Sequence, residues 1–126
     1  MTPPPVDDVL ELRLPTDPAL ALTARMFAGA LAYHLDRSNG EDLKLAFSEL
    51  LAAAVDAGTD VVEFRADIGR AEVHVRGAGR LDGEDPDELE EHERFVRKHR
   101  ADLLAALFPG LRTVDDSLVL PLDGTA

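Results

Sequence analysis

Asp42-Leu43-Lys44-Leu45-Ala46-Phe47-Ser48-Glu49, continued by Leu50-Leu51-Ala52-Ala53-Ala54-Val55-Asp56-Ala57, is the stretch on which the reading of this chain turns. Leu43, Phe47, Leu50, Leu51 and Ala54 recur at three- and four-residue spacing, which lines one side of a helix with apolar side chains. Gly58 follows where a left-handed residue would stop that helix. A helix is therefore expected from Glu41 or Asp42 to about Ala57.

Upstream, Leu10-Glu11-Leu12-Arg13-Leu14 alternates apolar and charged residues at period two, the pattern of a strand with one buried face. Pro15 ends it, and Thr16-Asp17-Pro18 supplies a capping side chain followed by proline. A first helix is expected from Ala19 to about Arg37, with Leu22, Met26, Ala30, Leu31 and His34 at helical spacing, broken by Ser38-Asn39-Gly40. Downstream, Val61 to Ile68 and Arg70 to Arg76 read as two strands around an Asp67-Ile68-Gly69 corner, with Ala71, Val73 and Val75 inward on the second. Asp85-Pro86 opens a third helix expected to run to Phe108, and Pro109-Gly110 stops it. Leu111 to Val114 and Leu118 to Leu122 form a closing hairpin, with Pro121 at an edge or outward position.

The order β-α-α-β-β-α-β-β predicts an α+β two-layer sandwich, a mixed and mostly antiparallel sheet covered on one face by about three helices. Residues 1–8, with Pro3-Pro4-Pro5, read as a disordered lead-in, and 9–123 as a single domain. Aromatic residues make up 5% of the chain, so Leu, Val and Ala must fill the core. A formal charge of −12 argues against a nucleic-acid partner and favours a basic protein surface. Cysteine is absent, which excludes disulfides, thiolate metal sites and thiol catalysis. No apolar run approaches the ~20 residues of a membrane span, and no signal-peptide pattern opens the chain. A cytoplasmic protein with no membrane partner is expected. The four histidines, His34, His74, His92 and His99, fall into no metal-ligand spacing, and Ser48 has no histidine at useful distance, so neither a metal site nor a serine nucleophile is expected.

The run from Asp42 to Glu49, D-x-K-x-A-x-S-E, resembles the first nucleotide-site helix of the GHKL ATPases, in the branch containing bacterial anti-sigma-factor serine kinases. Leu14-Pro15-Thr16-Asp17-Pro18, followed by a helix containing Arg25, is similar to the usual start of these proteins. The resemblance spans roughly Leu10 to Leu122 and implies a GHKL (Bergerat-like) fold. It also implies that Glu49 occupies the position of the glutamate that polarises the attacking group. Gly77 and Gly79 fall on the two glycines of the D-x-G-x-G loop that cradles the nucleotide.

The chain departs from that pattern where ligands are needed. Ala53 stands at the magnesium-binding asparagine, Ala57 where a histidine often follows, and Val75 at the aspartate that reads adenine. An acidic stretch, Asp82 to Glu93, replaces the glycine-rich lid. Magnesium requires oxygen ligands, and phosphoryl transfer rests on positioning and charge neutralisation. Valine cannot accept from the adenine amino group, whose unmet hydrogen bond costs ~1–3 kcal/mol. No cofactor is therefore expected, and Glu49, Gly77 and Gly79 are read as vestigial.

What the resemblance then implies is a regulatory protein that binds a sigma factor or an anti-sigma antagonist domain, as a homodimer, with lost or weak ATP binding. One alternative is an active ATP- and magnesium-dependent serine kinase in which Asp56 supplies the metal's carboxylate, although it lies about one turn from the required place. The other is a non-catalytic assembly subunit. Plainer readings accompany each residue: Glu49 as a solvated carboxylate, Gly77 and Gly79 as a strand end, and the acidic run as a helix N-terminus complementing its dipole.

Overall fold

A computed structural model of the chain describes residues 9–35, 40–79 and 91–122. The elements are β1 (Val9–Pro15), a 3-10 turn (Pro18–Leu20), α1 (Ala21–His34), α2 (Gly40–Ala57), β2 (Val61–Asp67), β3 (Glu72–Arg76), α3 (Glu91–Leu107), β4 (Arg112–Val114) and β5 (Ser117–Pro121). The expected order holds. The beginning of the predicted third helix, before Glu91, and the end of the first, after Leu35, lie outside the described residues.

The five strands form one sheet in the order β1-β2-β3-β5-β4. Each of the four ladders is antiparallel, so the sheet is more uniform than the mixed one expected. Alternation puts Leu12, Leu14, Val62, Phe64, Ala66, Val73, Val75, Leu118 and Leu120 on the face that meets the helices. The opposite face carries charge: Arg13 reaches Glu63 at 3.5 Å, and Arg65 reaches Glu11 at 3.6 Å. This is the predicted two-layer arrangement.

α2 is the centre of the helical layer. Leu43, Phe47, Leu50, Leu51 and Ala54, the side chains picked out by spacing, are all buried. Phe47 stacks between Phe27 of α1 (centroids 6.0 Å) and Phe64 of β2 (4.4 Å), a column of three rings through both layers. The helix ends as Gly58 predicts. At φ +73° Gly58 donates to the Val55 carbonyl at 3.1 Å, and Thr59 N–H reaches back to the Ala54 carbonyl at 3.3 Å.

α1 differs from its reading. Its core face is Ala24, Ala28, Leu31 and Ala32, while Leu22, Met26, Ala30 and His34 are exposed. The β2–β3 corner also shifts. Ala71, expected inward on the strand, sits in the turn at φ +52° and donates to the Ile68 carbonyl at 3.1 Å. Arg70 N–H is held by the Asp67 carboxylate at 3.1 Å, which lengthens the corner by a residue or two.

Candidate functional site

Glu49, Ala53 and Asp56 lie four and three residues apart on α2 and share one stripe of the helix. α3 covers that stripe. Its Arg100 directs Nε to Glu49 Oε2 at 3.2 Å and Nη1 to Asp56 Oδ2 at 3.0 Å. One guanidinium therefore clamps two carboxylates two helical turns apart. Arg100 is 7% exposed, the only buried charged residue among those described. Ala53 is 5% exposed. The Ser48 hydroxyl donates to the Lys44 carbonyl one turn back, at 3.1 Å.

The glycines flank the C-terminal end of α2. Gly77 has φ +91°, and a Cβ there would lie 2.3 Å from the Val61 carbonyl oxygen. Gly79 has φ +79°, and its Cβ would lie 2.8 Å from that of Ala57. Thr59 ties the region together: its hydroxyl lies against both the Ala54 and Gly77 carbonyls, and its own carbonyl accepts from the Thr16 hydroxyl. These close approaches require glycine for packing, whatever else the loop does. Val75, which the resemblance sets at an adenine-reading aspartate, pairs with Phe64 and Leu118 across the sheet and is core at 1% exposed.

The open face of the sheet holds a broad trough of about 670 Å³, lined by residues including Arg13, Arg65, Arg70, His74 and Arg76. Its carboxylates, Glu11, Glu63 and Asp67, each lie within 4 Å of an arginine. Glu72 takes His74 Nε2 at 2.9 Å and Arg112 Nη2 at 3.2 Å. The hydrogen bond from His74, then Arg112, holds the Glu72 carboxyl below its ordinary 4.5 against the opposing effect of burial. Val119, on the same face, is fully buried between cross-strand neighbours His74 and Arg112.

The stripe on α2 does not fit ATP and magnesium. A cation site needs free oxygens, and each of the two carboxylates within reach has one oxygen taken by Arg100, whose positive charge also repels a second cation. Between them Ala53 offers a methyl, and Val75 is sealed under the sheet. Among the described residues no group of three or more His, Asp or Glu could hold a metal ion, and no helix is long and apolar enough to cross a membrane. Of the acidic stretch Asp82 to Glu93, the part before Glu91 lies outside the described residues, and Glu91 to Glu93 open α3. Sequence reasoning found Glu49 and Asp56 but missed Arg100. The signal available was a lone arginine at four-residue spacing between Val96 and Leu104 on the apolar side of α3. No protein-family model matches the chain, and no curated protein is similar to it.

Proposed function

We propose that this chain is a regulatory binding protein on a GHKL-type scaffold, similar to anti-sigma-factor serine kinases but acting by protein contact without phosphoryl transfer. The observation that carries the reading is the Arg100 clamp. It places the chain's own cation against Glu49, the one catalytic carboxylate the resemblance retains. It also takes Asp56, the carboxylate on which the active-kinase alternative depends. Glu49 Oε2 is already taken by a donor from α3, which a substrate hydroxyl would have to displace.

The partner is a sigma-factor region or an antagonist domain with a basic helical surface, met in the cytoplasm. With a charge of −12, the chain attracts such a surface over several ångströms, which mainly raises the association rate and sharpens selectivity. Two measurements test the reading. Calorimetric titration with ATP and Mg²⁺ should give no saturable heat; micromolar binding abolished by Glu49→Gln would overturn it. The immobilised chain should bind a purified sigma factor or antagonist domain from its own genome, more weakly as salt rises. Failure with every such protein removes the regulatory half of the proposal.

A further inference from the structure

We propose that the open face of the sheet docks a short, extended, acidic segment of a partner protein, with Arg13, Arg65 and Arg76 each taking one carboxylate. The trough on that face reverses the chain's overall sign. The chain carries 25 acidic residues against 13 Lys and Arg. Among the described residues the trough is lined by four arginines, Arg13, Arg65, Arg70 and Arg76, against three carboxylates. These guanidiniums also have donors to give. Arg13, Arg65 and Arg70 lie 3.5, 3.6 and 3.9 Å from Glu63, Glu11 and Asp67, beyond the ~2.7–3.2 Å of an N–H···O hydrogen bond. Arg76 makes no ion pair or hydrogen bond with another described residue. Arg100 and Arg112, by contrast, spend theirs on carboxylates at 3.0 to 3.2 Å. Long, exposed pairs hold weakly, so Arg13 and Arg65 exchange them readily for a better acceptor.

Register and charge select the occupant. Glu63 stands between Arg13 on β1 and Arg76 on β3, and Arg65 follows two residues along β2 on the same face. Three guanidiniums thus surround one carboxylate, and the excess charge is spread over three strands. Strands ~4.8 Å apart set the Arg13 and Arg76 backbones about 10 Å from each other, with Arg65 on the diagonal, roughly 7–8 Å from both. An extended peptide repeats its same-side side chains every ~6.7 Å, so carboxylates at alternate positions meet the three guanidiniums in turn. Ser117, opposite Arg76 in the ladder, adds a hydroxyl at the end of that path. A long polyanion does not suit this face, because beyond the trough it meets the acids that give the chain its charge of −12. Screening over ~8 Å at physiological salt spares a short segment that repulsion, since the helices lie behind the sheet.

The trough lies apart from the α2 stripe and takes the opposite charge to the basic partner, so this test and those of the regulatory reading fail independently. The probe is a fluorescein-labelled peptide in which glutamate alternates with serine, followed by anisotropy with the full chain in about 150 mM sodium chloride. Its expected dissociation constant is on the order of 100 µM. Arg76→Gln, which breaks no described pair, and Arg65→Gln should each raise that constant about fivefold or more, with an unchanged far-ultraviolet circular dichroism spectrum. Lys98→Gln makes the same charge change at an exposed position of α3 and should alter it by less than about twofold. A peptide of the same composition with its glutamates consecutive should bind at least about threefold more weakly, because neighbouring side chains of an extended chain point to opposite sides. No binding by about 1 mM chain overturns the proposal. So does equal loss from Lys98→Gln and Arg76→Gln, which would reduce the effect to net charge. Equal affinity for the two peptides, displacement by inorganic phosphate at lower concentration than by unlabelled peptide, or tighter binding of a single-stranded oligonucleotide overturns it too.

Discussion

Arg100 reaches Glu49 and Asp56 from α3 while their side chains remain 31% and 44% exposed, so solvent screens one side of the clamp and the core shields the other. Removing the cation leaves two like charges facing the middle of α3. Arg100→Met keeps the stem's packing and should cost about 1–3 kcal/mol, between the worth of a surface pair and that of a buried one. Urea unfolding measures it, and a loss within error would show the clamp to be ornamental. Glycine positions separate backbone strain from steric conflict. Gly58 at φ +73° has open space around it, so Gly58→Ala should cost about 1–2 kcal/mol from strain alone. Gly77→Ala adds a collision with the Val61 carbonyl and should cost upward of ~3 kcal/mol. Equal thermal shifts for the two variants would contradict that ordering.

At the scale of elements, the strands and α2 were legible because their apolar residues follow a single period. β1 alternates, β3 alternates, and α2 places every large apolar side chain except Leu45 on its inner or flanking surface. α1 was legible as a helix but not in orientation. With apolar residues at almost every position, periodicity cannot choose between two opposite faces, and the alanines win because small side chains let α1 approach α2 closely. The corner after β2 was misjudged by a residue because Ala71 adopts a positive φ that alanine rarely takes. The clamp was invisible for another reason: Arg100 lies 51 residues from Glu49, and spacing arguments do not reach that far. Between β3 and β4, Glu72 offers an acid-range test. Its pKa is lowered in the fold, chiefly by His74, so its contribution is complete above about 4.5 and is lost as pH falls through the lower folded value. The difference in urea midpoint between the parent chain and Glu72→Gln should therefore close as pH drops from 7 to 3. A gap that stays constant would remove Glu72 from the account of acid stability.

For the whole molecule, 25 acidic side chains against 13 basic ones make self-repulsion a steady tax on the compact state. Several of the basic ones sit on the open face of the sheet in exposed pairs, and such pairs are worth ~0–1 kcal/mol each. Screening the repulsion should thus outweigh weakening the pairs. Raising sodium chloride from about 20 to 300 mM should lift the melting temperature by a few degrees. A fall would mean that specific pairs dominate. The sheet's two margins are unequal: β1 is seven residues long and β4 only three. Fibril-like stacking requires a growing end that matches the end it joins, repeated without limit. Here one border is a full-length ribbon with Glu11 and Arg13 along it and Pro15 at its tip, and the other is a stub. Lateral accretion of this chain is therefore self-terminating.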